Sequence, residues 1–152
     1  MFFNIIWAFI IPWTIGILHL NKRDKLVIPL IGSFCSVLSF VINEIGFHFD
    51  FFEVMPLIDE KNTSALPFII GLYPILGSYL IFFIRKFQHP FLIIFLMTLL
   101  TTFLELTFVY FGIVKYYNGW NGYYTFVSYL LPYILAYRYY LFLDKTLNLY
   151  KK

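Results

Sequence analysis

Apolar residues fill five long blocks of the chain and polar residues gather between them, a layout that differs from the alternating faces of a soluble helix or strand. Each block runs to about 20 residues, the length at which a helix covers the roughly 30 Å of bilayer hydrocarbon. The blocks predict transmembrane helices at about residues 2–20, 26–47, 65–84, 90–114 and 123–143. The first ends at Asn21-Lys22-Arg23-Asp24-Lys25 and the third at Arg85-Lys86, clusters too costly to hold in hydrocarbon. Residues 48–64 mix Phe, Val and Leu with Asp50, Glu53, Asp59 and Glu60, and Pro56 interrupts any helix there, so this segment reads as a connection at the membrane interface. Pro90 stands at a first helical turn, where its missing donor matters least. Pro29, Pro67, Pro74 and Pro132 are tolerated if neighbours satisfy the carbonyls they free. The predicted fold class is all-α: a polytopic transmembrane helix bundle of five spans, forming one integral membrane domain over residues 1–152.

Composition agrees with the blocks. With 61% hydrophobic, 24% aromatic and 12% charged residues, the chain lacks the polar shell of a soluble domain. Its net charge of +3 is a membrane-topology signal, and no nucleic acid partner is expected. Lys22, Arg23, Lys25, Arg85, Lys86, Arg138, Lys145, Lys151 and Lys152 fall on one side of a five-span path, with Arg138 snorkelling to that surface, and only Lys61 and Lys115 fall opposite. This asymmetry predicts an N-terminus outside and a C-terminus in the cytoplasm. The first apolar run has no basic residues ahead of it and no small-residue exit, so it is expected to stay as a span.

The most informative polar position is Glu105, a carboxylate within the fourth block. An ionisable group in hydrocarbon costs at least a few kcal/mol and normally marks a partner, a cavity or a pathway. Thr98, Thr101, Thr102, Glu105 and Gly112 fall on one helical stripe expected to face protein. For the threonines alone, back-bonding to their own helix is the plainer reading. In the second span Gly32, Ser36, Ser39, Asn43 and Gly46 recur every three or four residues as a seam for close helix packing. Glu44 lies beside that seam with His48 one turn further on, a pair that either titrates near neutrality or is simply solvated among headgroups. From the cytoplasmic ends of their spans, Glu44 lies at about 27 Å and Glu105 at about 22 Å. If the second and fourth spans are neighbours, the two carboxylates border one outward-facing cavity.

Residues 110–124 carry a dense set of tyrosines with Trp120, which reads first as an aromatic belt. The functional alternative is a lid in which Asn118, Trp120 and Asn121 close over the carboxylates, with Gly112, Gly119 and Gly122 supplying turns. Tyr129, Tyr133, Tyr137 and Tyr140 continue at helical spacing down the fifth span and offer hydroxyl donors to Glu105. The candidates for ligand or proton binding are therefore Glu105, Glu44, Thr101, Thr102, Asn43, His48, Trp120, Tyr129 and Tyr133.

Catalytic and cofactor motifs are missing: there is no Gly-x-Ser-x-Gly, no His-Glu-x-x-His, no phosphate loop and no Cys-His cluster. His19, His48 and His89 fall at different boundaries and cannot converge. Cys35, the single cysteine, reads as a small buried filler. Asp50, Glu53, Asp59 and Glu60 lack the spacing of a calcium loop and read as a solvated acidic face. Asn62-Thr63-Ser64 matches a glycosylation acceptor formally. No metal or cofactor is expected.

Glu105, Gly112, Tyr117, Trp120 and Ser128, followed by a tyrosine-rich last span, resemble the layout of a family of small uncharacterised five-span membrane proteins of Bacillus-like spore-forming bacteria. The basic clusters after the first and third spans fit that layout too. The resemblance implies a bacterial cytoplasmic membrane and assigns no activity.

Two classes of function fit these readings. The first is a non-enzymatic membrane component that binds a small ligand or proton through intramembrane carboxylates, or serves as a subunit beside a second copy or other membrane proteins. Five spans without an internal repeat are few for a self-contained transporter built from duplicated halves. The alternative is a membrane-embedded enzyme acting on a lipid or isoprenoid, with Glu105 as acid or base, which needs an electrophile or a phosphate-binding cluster near that carboxylate.

Overall fold

The structure, a computed structural model, describes residues 2–57 and 61–147. Asp59 and Glu60 of the acidic connection, and Lys151 and Lys152 of the basic count, lie outside the described residues. Five helices are long and apolar enough to cross a membrane: α1 (Phe2–Arg23), α2 (Ile28–His48), α3 (Lys61–Phe87), α4 (Pro90–Tyr110) and α5 (Gly122–Leu147). Two short strands, β1 (Phe52–Val54) and β2 (Val114–Tyr116), pair antiparallel with Phe52 opposite Tyr116, Glu53 opposite Lys115 and Val54 opposite Val114. The ribbon joins the α2–α3 connection to the α4–α5 connection at one end of the bundle.

The fourth span therefore ends before the predicted residue 114. Gly112, at φ 71°, closes α4 with a Schellman motif in which Ile113 N–H donates to the Phe108 carbonyl and Gly112 N–H to the Val109 carbonyl. Gly112 is thus the stop signal of α4 and no part of the threonine stripe. Because the chain turns there, Glu105 lies five residues from the helix end, about 7.5 Å along the axis. At its other boundary α3 begins four residues earlier than predicted. Lys61 pairs with Asp50 and with Glu53 at 3.1 Å, and Ser64 Oγ donates to the Pro56 carbonyl at 2.8 Å, anchoring that first turn.

α3 is the central helix: 61% of its apolar window is buried, against 17–33% for the other four. It carries a wide π-type stretch at Phe68–Leu72, just before Pro74, whose ring nitrogen cannot bond the Ile70 carbonyl. Trp13 Nε1 of α1 donates to that freed carbonyl at 2.9 Å, and Ser36 Oγ of α2 takes the neighbouring Ile69 carbonyl at 3.0 Å. Neighbouring helices thus supply the donors that proline withholds. In the same stretch Gly71 lets α1 touch α3 backbone to backbone, since a Cβ there would sit 2.1 Å from the Ala8 carbonyl oxygen.

The buried apolar residues form two clusters. One, toward the α1–α2 and α3–α4 turns, centres on Leu20, Val27, Leu80, Ile81 and Ala136. The other, under the ribbon, holds Ala8, Phe47, Val54, Phe68 and Val114. Large apolar side chains also cover the outside, with Phe91 82% and Phe103 69% exposed. At the end opposite the ribbon, Asp24 caps α2 through Leu26 and Val27 N–H and pairs with Arg85 of α3.

Candidate functional site: a carboxylate held by tyrosines

Two segments, α5 and β2, deliver donors to Glu105. α5 starts where Asn121 Oδ1 accepts the Tyr123 and Tyr124 N–H groups at 2.9 and 3.4 Å, and this cap sets Thr125 on the first turn. β2 returns from the Gly112 turn and carries Tyr116 back over the bundle. Tyr116 OH donates to Glu105 Oε1 at 2.7 Å, Thr125 Oγ1 lies 3.3 Å from the same oxygen, and Tyr129 OH donates to Oε2.

The hydrogens run one way. Trp120 Nε1 donates to Thr125 Oγ1 at 2.9 Å, so the threonine hydroxyl passes its own hydrogen toward Tyr116 Oη, 2.8 Å away, and Glu105. On the other side Tyr129, having donated to Glu105, accepts from Tyr73 OH of α3 at 3.2 Å. Indole and hydroxyls thus form two converging chains that end on one carboxylate, the arrangement an acceptor-only group requires. Burial, reinforced by the Glu105 charge, pushes the Tyr116 phenol well above its ordinary range, so it stays a donor at accessible pH. Among the described residues no Lys, Arg or His is within salt-bridge distance of Glu105.

The carboxylate borders a cavity of about 60 Å³ whose polar wall is formed by Ser39, Asn43, Tyr73, Ser128, Tyr129 and Tyr133. Phe52, Val54 and Val114 roof it, so the cover is the ribbon. Trp120 lies one step outward, stacked on Phe51 at 5.0 Å. Asn118 ties the turn down through the Phe49 and Asp50 carbonyls at 3.2 and 3.1 Å, and Gly119 takes φ 79°.

Glu105, Asn43, Tyr129 and Tyr133 meet at this cavity, and Thr101 lines a smaller void of about 20 Å³ that also borders Glu105. Thr101 Oγ1 donates to the Met97 carbonyl at 2.8 Å and accepts from Tyr133 OH at 2.6 Å, so Tyr133 gives its hydrogen to Thr101 and not to Glu105. Tyr137 and Tyr140 stack on each other at 6.4 Å, beyond the cavity wall.

Three candidates stand apart. Glu44 is absent from the cavity wall and is bound by Asn62 Nδ2, so the two glutamates do not border one chamber. His48 is exposed, edge-on to Phe49 at 5.0 Å, and makes no pair with Glu44, whose Oε1 accepts from Asn62. Thr102 is buried with Oγ1 unpartnered and is off the cavity wall. Asn62, the formal glycosylation acceptor, sits in the first turn of α3 with its amide on Glu44. Of the acidic residues in the connection, Asp50 and Glu53 are held by Lys61.

Tyr73, Thr125 and Ser39 are partners that the apolar blocks do not single out as binding groups. Tyr73 belongs to no polar stripe, and Thr125 is marked only by following Asn121, an N-cap residue, at four positions. Neither a protein-family model, a curated protein nor a solved structure matches this chain.

Proposed function

We propose that the chain is a multi-pass protein of a bacterial cytoplasmic membrane, allied to the small five-span proteins it resembles, and that it is a non-enzymatic component binding a proton or small ligand on Glu105. One observation carries the reading: a carboxylate is the common acceptor of three hydroxyl-bearing side chains beside a small cavity, with no cation in salt-bridge reach among the described residues. A group that costly is expected to exchange a charge-neutralising species. The enzyme alternative loses support because the phosphate-binding cluster it needs is missing from the wall. A second copy or another membrane subunit is the proposed partner, since five spans form no duplicated pair.

The exchange reading is tested by infrared difference spectroscopy of the purified protein across a pH titration. A protonated-carboxyl band that appears as pH falls in the wild type and is missing in Glu105→Gln supports it. An identical band in Glu105→Gln would sink it.

The proposed orientation, N-terminus outside and C-terminus in the cytoplasm, rests on the basic residues gathered at the α1–α2 and α3–α4 turns and on Lys145 near the end of α5. In a Cys35→Ala background, Tyr117→Cys should react with an impermeant maleimide in intact cells, and Lys145→Cys only after permeabilisation. The reverse pattern would invert the bundle.

A further inference from the structure

The polar atoms around the cavity have largely spent their hydrogens elsewhere. Ser39 Oγ donates to the Ser36 carbonyl at 2.9 Å, and Ser128 Oγ donates to the Thr125 carbonyl at 2.8 Å, each inside its own helix. Tyr73 gives its hydrogen to Tyr129, and Tyr129 gives its own to Glu105. Asn43 uses an amide hydrogen on the Ser39 carbonyl at 2.7 Å. Apart from the second amide hydrogen of Asn43, what these groups can still offer the cavity is oxygen lone pairs, next to a carboxylate with four lone-pair sites of which three accept, the Thr125 hydrogen being shared with Tyr116.

A chamber lined mainly by acceptors, with one formal negative charge, selects its occupant. Anions are disfavoured by the charge of Glu105 on the wall. A divalent ion would leave one positive charge uncompensated in a low-dielectric interior, because Glu105 is the single carboxylate on the wall. Hard monovalent cations prefer carboxylate, hydroxyl and carbonyl oxygens, and the lone thiol of Cys35 does not amount to a soft-metal site. Resting on the Glu105 reading above, we infer that the cavity is a binding site for one small monovalent metal cation of the sodium class, taken up by the Glu105 carboxylate with the oxygens of Ser39, Ser128 and Tyr73 on the same wall.

The test is thermal melting of the full chain, purified in mild detergent, with sodium chloride titrated against choline chloride at constant ionic strength and constant pH. Sodium at ten times its Kd should raise the melting temperature by about 3–6 °C over choline. Glu105→Gln should abolish the rise. Ser39→Ala, a milder change, should keep the fold and move the sodium midpoint upward about ten-fold or more. Equal melting in sodium and choline overturns the inference, as does a sodium response of undiminished midpoint in both variants. A melting temperature that depends on pH through Glu105 and ignores sodium also overturns it, while leaving the proton reading intact. If Glu105→Gln does not fold, the sodium midpoint of Ser39→Ala decides alone.

Discussion

Glu105→Ala is expected to lower the melting temperature of the purified protein by roughly 6–12 °C, the shift that follows from losing about 3 kcal/mol in a domain of this size. The magnitude comes from the partners left behind. Tyr116 and Tyr129 direct whole hydrogens at this carboxylate and Thr125 shares its one hydrogen between it and Tyr116; each full hydrogen bond inside a membrane helix bundle is worth about 1 kcal/mol, and the buried hydroxyls left unsatisfied add the rest. Glu105→Gln keeps the shape and one acceptor but replaces the other oxygen with a donor, so one tyrosine hydroxyl meets an N–H head-on. About half the loss is expected, together with loss of any phenotype that depends on the exchangeable charge. Glu53→Gln is the control. Its partner Lys61 is shared with Asp50 and sits at the bundle rim, where ion pairs contribute at most about 1 kcal/mol. Equal melting temperatures and equal phenotypes for Glu105→Gln and Glu53→Gln would show that the buried carboxylate is ordinary packing.

The second large effect lies away from the site. In Gly71→Ala the new Cβ would be 2.1 Å from the Ala8 carbonyl oxygen and 2.6 Å from Phe9 Cα, both backbone atoms that cannot rotate aside. α1 must move off α3, losing the Trp13 bond to the Ile70 carbonyl and the packing of Ala8 against Phe68 and Ile69. A net loss of about 2 kcal/mol is expected after the gain of about 1 kcal/mol from putting alanine for glycine in a helix. Gly122→Ala provides the contrast, because its Cβ would meet Leu106 at an ordinary 3.6 Å. Melting in detergent should separate the two by several degrees. If Gly71→Ala melts no lower than Gly122→Ala, the close approach of α1 and α3 is wrong.

Much of the site was legible before the fold, for a reason specific to membranes. A carboxylate inside an apolar block stands out because nothing else in that block can be polar without cause, so Glu105 needed no alignment to be found. The i to i+4 step from Thr101 to Glu105, and from Tyr129 to Tyr133, put those groups on common faces. The pairing of Glu105 with Glu44 failed because helical depth says how far along a span a residue lies, and says nothing about which neighbour it turns toward. Glu44 turns to Asn62 at the head of α3.

The ribbon was missed for a different reason. Phe52-Glu53-Val54 and Val114-Lys115-Tyr116 are alternating three-residue stretches, too short to be told from loop by period alone, and Val114 of the second reads as the last residue of the fourth span. The positive-φ glycine at 112 is the signal that separates them, and in an apolar run a glycine reads as readily for packing as for a helix stop.

Taken by itself, the order of residues determined the number of helices, their approximate limits and the carboxylate, Glu105, that lies deepest in an apolar block. Those properties depend on block length and on transfer cost, which are local. The tertiary structure alone decided that Tyr116 folds back over Glu105, that Tyr73 and Thr125 complete two converging donor chains, and that Glu44 belongs elsewhere. Those outcomes depend on which helix faces meet, set by the Gly71 contact, the Pro74 gap and the pairing of two distant strands, and no local pattern encodes them.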